Sequence, residues 1–106
     1  MIRPEQIREI LSIYRKHGWS LRRVLLSEAL RAGLSDSLEE LFGDTEIFDS
    51  DLDAVWFTRS SRPGHETWEI RRLSTSPYAL CEVFNQEDED DVREEVLSDL
   101  EERLRS

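Results

Sequence analysis

Few side chains of the kind that perform catalysis occur in the sequence, and none forms a pattern that a known chemistry requires. The two histidines, His17 and His65, stand apart, one at the end of an expected helix and one in an expected turn. The segment 65–69 begins like a zinc-protease helix, but Glu69 stands where the second His ligand is needed. A Gly-rich phosphate loop and a nucleophile elbow are also missing from the sequence. The sequence therefore predicts no catalytic residue and favours a protein that is not an enzyme.

Two acidic segments have the residue types of a metal site. Carboxylates at alternate positions from Asp49 to Asp53 resemble the start of a calcium loop, in which oxygens converge on a hard cation. The position that needs glycine is Ala54, and the position that needs a bidentate Glu is Ser60. The second acidic segment, residues 87–91, suits the positive start of a helix. We expect solvated acidic segments with no metal and no cofactor, and a divalent-metal binder or small enzyme stays an alternative.

Cys81 is the only cysteine of the 106 residues, so no intrachain disulfide can form. This favours a reducing compartment. The amino terminus reaches polar residues at once, without the apolar stretch of a signal peptide, and no apolar run approaches the roughly 20 residues that span a bilayer. The sequence therefore predicts a cytoplasmic protein that does not enter a membrane.

The net charge of −10 is unevenly distributed along the chain. Residues 1–34 contain seven bases and three acids, whereas residues 35–54 contain eight acids and no base. Residues 55–84 are nearly balanced, and residues 85–106 contain ten acids against three bases. These four blocks match the structural segments predicted below, so charge and secondary structure support the same segmentation.

The basic block suggests a nucleic-acid alternative. Four residues in or near the first two expected helices would supply phosphate contacts in a helix-turn-helix arrangement. They are Arg15, Lys16, Arg22 and Arg23. The flanking acidic blocks would repel DNA and can neutralise these bases within the molecule or across a dimer. A small DNA-binding regulator is therefore the alternative function, and binding of nucleic acid is not expected.

Helical periodicity is clear at both ends of the chain. A first helix is expected from Pro4 to Lys16, because apolar residues recur at helical spacing and Gly18 follows as a stop. Ser20 is expected to cap a second helix that continues to Ala32. A short third helix is expected over residues 37–42, and an acidic helix over residues 88–105.

From Ala54 onward the residue types change to those of strands. Val, Trp, Phe and Thr occupy 55–58, and turns are expected at Arg62–Gly64 and at Ser74–Pro77. The sequence thus predicts an α+β fold in which a three-stranded antiparallel meander lies between two or three amino-terminal helices and a carboxy-terminal helix. We expect a single domain over residues 1–106, helical over 1–43, β over 54–84 and helical again over 88–105.

The meander has two faces, and the apolar residues assign them. Pairing Phe57 with Trp68 and Val55 with Ile70 places large apolar groups on one face, to which the second turn adds Ala79, Cys81 and Val83. The opposite face mixes aromatic, aliphatic and charged side chains. Its candidate partner-binding residues are Trp56, Arg71, Leu73, Tyr78, Leu80 and Phe84.

This mixed face has the composition of an interface, which predicts a non-catalytic protein-interaction module with a protein partner or itself, as a homodimer. An equally weighted alternative is that helices cover both faces of the sheet. In that case Trp56, Leu80 and Phe84 belong to a second core.

Overall fold

A five-stranded mixed sheet organises the chain in the computed structural model, which describes residues 2–76 and 78–105. The strands are β1 Ser20–Leu26, β2 Ile47–Asp49, β3 Ala54–Arg62, β4 His65–Arg72 and β5 Ala79–Asn85. The helices are α1 Pro4–Lys16, α2 Glu28–Gly33, α3 Leu38–Phe42 and α4 Asp90–Arg105. The order across the sheet is β2-β1-β3-β4-β5. Pro77, in the second predicted turn, lies outside the described residues.

Helix α1 has the bounds that its periodicity predicts. Pro4 stands in the first turn, where its missing N–H costs no hydrogen bond, and Ile7 and Leu11 are buried one turn apart. The helix ends before Gly18, whose φ of 87° lies in the left-handed region that glycine adopts most easily. The chain then turns back into the sheet.

The predicted second helix is wrong, because residues 20–26 form strand β1. This strand lies between β2 and β3, and its last three residues are all buried. A strand that is covered on both faces has a continuous apolar sequence, and such a sequence also matches the spacing of apolar residues in a helix. The helix begins later, at Glu28, where the Ser27 hydroxyl accepts a hydrogen bond from the Leu30 N–H.

The predicted three-stranded meander is also wrong, since two further strands extend the sheet. β1 pairs antiparallel with β3, and β2 pairs parallel with β1 at the sheet edge. β2 has only three residues, and the last of them, Asp49, is the first residue of the acidic segment 49–53. The segment predicted as helical, residues 1–43, thus contributes a strand to the sheet.

The predicted register between β3 and β4 is wrong by one residue. Trp68 pairs with Thr58, and Phe57 pairs with Glu69. A β-bulge between Ser60 and Arg62 shifts the pairing beside the hairpin turn. A shift of one residue exchanges the two faces of a strand relative to its neighbour, so Trp68 lies on the opposite face from Phe57.

Helices cover the two faces of the sheet, and each face has its own core. On the first face, α1, α2 and α3 pack on side chains that include Val24, Val55 and Phe57. On the second face, α4 packs Leu97, Leu100 and Leu104 against the sheet. The sheet residues of the second core are Leu25, Ala54, Trp56, Trp68, Ile70 and Phe84.

Polar contacts fix α4 along the sheet. The Trp56 indole N–H donates to the Glu101 carboxylate at 2.9 Å, and Arg105 pairs with Asp51 at 2.8 Å. Near the helix end, the Arg72 guanidinium donates to a backbone carbonyl of the last turn. Within residues 2–76 and 78–105, no helix combines the length and apolarity that crossing a bilayer requires.

Trp56→Ala and Phe57→Ala are each expected to lower the free energy of unfolding by about 3–5 kcal/mol, because each removes a large aromatic from one of the two cores. Both side chains are almost fully buried, Trp56 at 0% and Phe57 at 2% exposure. Urea titration followed by circular dichroism measures the loss. The control is Val83→Ala, an exposed site expected to change stability by no more than about 0.5 kcal/mol. A Trp56→Ala loss as small as the control would contradict the second core.

Candidate interaction surface

Three of the six residues predicted to bind a partner lie under α4. Trp56, Leu80 and Phe84 share the second face of the sheet, as the sequence indicated, but Trp56 and Phe84 are buried and Leu80 packs at the edge of the same core. Arg93 of α4 stands over the Phe84 ring with 5.7 Å between its guanidinium carbon and the ring centroid. These three side chains therefore stabilise the fold from inside the protein.

The other three predicted contact residues lie elsewhere. Leu73 is buried in the core of the first face. Arg71 pairs with Val55 and Ala79 in the sheet, and this places its side chain on the first face, half-buried. Tyr78 is exposed ahead of β5, where Arg72 stands over its ring at 5.4 Å. The six residues therefore do not share a face. Only Arg71, on the first face, and Tyr78, ahead of β5, lie where a partner could contact them.

The first face is covered over only part of its width. Residues opposite one another in adjacent strands share a face, so the rows Phe57, Glu69, Cys81 and Val55, Arg71, Ala79 lie under and beyond α1. Phe57 and Val55 are buried, whereas the β5 members of both rows are exposed. We call this uncovered surface the open face. It consists of Glu69, Arg71, Ala79, Cys81 and Val83, bordered by Ile10 and Ile13 of α1.

One side chain of helix α1 is hydrogen-bonded to the open face. Tyr14 stacks on the Phe57 ring with 3.9 Å between centroids and 6° between planes. Its hydroxyl donates a hydrogen bond to the Glu69 carboxylate on β4. Burial, followed by that hydrogen bond and the negative charge of Glu69, raises the pKa of Tyr14 well above its usual value of 10.0. The neutral phenol thus ties α1 to the middle of the sheet and marks where helical cover ends.

A shallow cleft of about 280 Å³ runs between α1 and the sheet at the border of the open face. Ile10 and Ile13 line it from the helix, and Arg71 lines it from the sheet. The Ile13 side chain is 49% exposed. The cleft therefore joins exposed apolar groups to a cation, a combination that protein interfaces favour.

The four residues suggested as nucleic-acid contacts do not form one basic helical surface. Arg15 and Lys16 are exposed in the last turn of α1. Arg22 and Arg23 lie on a strand, each with its guanidinium carbon 5.1 Å from the Trp68 ring centroid. Arg23 also pairs with Glu94, and its hydrogen bonds lower the pKa of that carboxyl. The helix-turn-helix comparison loses its basis because its second helix is β1.

The acidic residues of segment 49–53 hold the fold together locally. Asp51 pairs with Arg105, and that hydrogen bond lowers the pKa of the Asp51 carboxyl. Asp53 accepts hydrogen bonds from the backbone N–H and the hydroxyl of Ser27, at the start of α2. Asp49 pairs with an arginine of α2. Among the described residues, no three His, Cys, Asp or Glu side chains converge as metal ligands.

The prediction that Ala79, Cys81 and Val83 belong to the core is wrong, because all three are exposed at the centre of the open face. Glu69 and Arg71 lie directly across from Cys81 and Ala79. Two charged residues alternating with Trp68 and Ile70 along β4 were the available signal that this row faces water. The bulge that decides the register left no clear signal in the sequence.

No known family model, curated protein or solved structure matches the chain. The arrangement of its own side chains therefore carries the functional argument. Helical cover of the first face is incomplete at β5, where Ala79, Cys81 and Val83 are all exposed on the open face.

Tyr14→Phe is expected to lower the free energy of unfolding by about 1 kcal/mol at pH 7, because the Glu69 carboxylate loses a partly buried donor. The pKa of Tyr14 is raised in the folded protein, so its stabilising contribution is complete below pH 10.0 and is lost as pH rises toward the folded pKa. The difference in the free energy of unfolding between wild type and Tyr14→Phe should therefore decrease above pH 10.0. Urea titrations at a series of pH values measure it, and parallel stability curves across that range would contradict this account.

Proposed function

We propose that the protein is a non-catalytic protein-interaction module that binds its partner through the open face. The supporting observation is that β5 exposes the apolar side chains of Ala79, Cys81 and Val83 on the part of the first face that α1 does not cover. We further propose a cytoplasmic location, which suits the exposed free thiol of Cys81 because a reducing compartment keeps such thiols unpaired.

Two of the exposed large apolar side chains lie on the open face or at its border, and a third immediately precedes β5. In the described part of the chain, five such residues are between 37% and 51% exposed. They are Ile13, Phe48, Tyr78, Val83 and Val92. Ile13 and Val83 belong to the open face or its border, and Tyr78 immediately precedes β5. Single exposed apolar residues are normal on a protein surface, whereas a contiguous group is typical of a contact site.

The polar groups of the open face supply orientation. Glu69 and Arg71 are half-buried neighbours on β4, held by Tyr14 and by the backbone carbonyl of Arg72, respectively. A partner that covers them must match one negative and one positive group in fixed positions. Apolar contact would then supply affinity, and the two charges would select among partners.

Val83→Asp and Ile13→Asp are expected to abolish capture of peptides from a random displayed library that wild type enriches, because each places an uncompensated charge in the contact surface. Capture is measured by sequencing after successive rounds of panning. The matched control is Phe48→Asp on β2, an exposed apolar site at the opposite edge of the sheet. Both test residues are exposed, so the melting temperature should change little.

Enrichment that persists in both open-face variants, or no enrichment by wild type together with a monomer in sedimentation, would contradict the proposed function. Enrichment lost equally in the Phe48→Asp control would show that the contact surface is not the open face.

A further inference from the structure

We propose that the occupant of the β5 edge is a second copy of this chain, whose own β5 pairs antiparallel with it about a two-fold axis at Cys81. This inference rests on the proposed function and specifies its partner. It would join two five-stranded sheets into one continuous sheet of ten strands, with the two open faces side by side.

The hydrogen bonds at the two ends of β5 show which of its backbone groups are free. The Arg72 N–H donates to the Tyr78 carbonyl at 3.0 Å, and the Gln86 N–H donates to the Gly64 carbonyl at 2.8 Å. In an antiparallel pair, hydrogen-bonded and non-hydrogen-bonded residue pairs alternate. With the register between β4 and β5 unbroken from residue 79 to residue 85, the even-numbered residues of β5 bond inward to β4.

The odd-numbered residues of β5 therefore direct their N–H and C=O groups away from the sheet. Asn85 is already satisfied, because its N–H donates to the Asp88 carboxylate at 2.7 Å and its carbonyl accepts from the Asp88 N–H at 3.1 Å. Ala79, Cys81 and Val83 form no such bond with the rest of the described chain. Their side chains also form the centre of the open face, so three residues present both free backbone and exposed apolar surface.

This edge has few of the features that prevent strand pairing, and Glu82 is its only charged residue. Natural edges are protected by Lys, Pro, bulges or very short strands. β5 has seven residues, none of them Lys or Pro, and its pairing with β4 has no bulge. The opposite edge, β2, has only three residues, and its Asp49 is paired with Arg31. The chain thus protects one edge of its sheet and leaves the other open.

The free N–H and C=O groups of β5 favour one symmetric register between the β5 strands of the two copies. With the axis at Cys81, Cys81 faces its own copy, and Ala79 faces Val83 in both directions, so all three free residues pair. Glu82 then stands opposite Leu80 of the second copy. Moving the axis to Glu82 would place two carboxylates directly opposite each other, which destabilises a strand pair.

Helix α4 adds charge complementarity to this register. Its start lies near the end of β5, where Arg93 covers Phe84, and its last turn lies near the start of β5, where Arg72 bonds to Leu104. The helix therefore runs antiparallel to β5, and a two-fold axis places the start of one α4 beside the end of the other.

One flank of α4 faces the open edge. Glu94 and Glu101 contact β1 and β3 on the inner flank. At 3.6 residues per turn, the opposite flank consists of Val92, Val96, Asp99 and Arg103. The first half of the helix is acidic, and Arg103 forms no ion pair with another described residue. The antiparallel arrangement brings Arg103 toward the acidic half of the second helix, which favours a copy of this chain as the occupant.

The test measures the dimer dissociation constant by sedimentation equilibrium for wild type, Cys81→Pro and Cys81→Thr. Proline removes the outward N–H of residue 81 and leaves the hydrogen bonds to β4 in place, and threonine keeps that N–H. Cys81→Pro should raise the dissociation constant at least ~10-fold. Cys81→Thr should leave it unchanged. Ala79→Pro, at the first position of the strand, is the second variant if Cys81→Pro fails to fold.

A short bis-maleimide should link Cys81 of one copy to Cys81 of the other in the wild-type dimer, since the axis brings the two thiols together. The control is Cys81→Thr combined with Ser35→Cys, which moves the only thiol to an exposed site beyond α2 and should not be linked. A dimer that neither proline variant weakens, or that gives no Cys81 link, would overturn the pairing.

Wild type that stays monomeric at about 1 mM, where even a weak dimer is populated, would also overturn it. If that monomer still captures library peptides in a Val83-dependent manner, the interaction function stands and only the second copy is wrong.

Discussion

Burial of the first half of one strand on both faces is the constraint around which the chain is arranged. In β3, all five residues from Ala54 to Thr58 are buried, with Val55 and Phe57 in one core and Trp56 in the other. A strand buried on both faces needs a strand on each edge and a helical layer on each side. β1 and β4 supply the edges, α1 to α3 supply one layer, and α4 supplies the other.

Helical cover on the first face ends at the middle of the sheet because of the width of a helix. A helix with its side chains is roughly 10–12 Å across, and strands lie about 4.8 Å apart, so one helix covers little more than two strands. Stacking of Tyr14 on Phe57 holds α1 over β3, and its hydroxyl reaches only as far as Glu69 on β4. α2 and α3 pack in the same core, which leaves β5 without a helix on this face.

The parts of the fold that could be predicted have one dominant period or residue type. α1 and α4 repeat their apolar residues at helical spacing, and the start of β3 is a run of β-branched and aromatic residues. β1 could not be recognised, because a strand buried at Val24, Leu25 and Leu26 shows no alternation and fits helical spacing equally well. β2 has too few residues to carry a pattern of its own, and its pairing with β1 depends on a contact distant in the chain.

The candidate surface was partly predictable for a related reason. Trp56, Leu80 and Phe84 do share a face, but whether α4 covers that face depends on tertiary packing. Which residues of β5 are exposed depends instead on the alternation of residues along the strand. In an antiparallel edge strand, the residues whose N–H and C=O groups point outward all have their side chains on one face. Had β5 paired with β4 one residue further along, its two faces would have been exchanged, so Leu80, Glu82 and Phe84 would carry the free N–H and C=O groups and stand on the uncovered face. In the observed register, Ala79, Cys81 and Val83 have both properties, so free hydrogen-bonding groups and exposed apolar side chains coincide along a single edge.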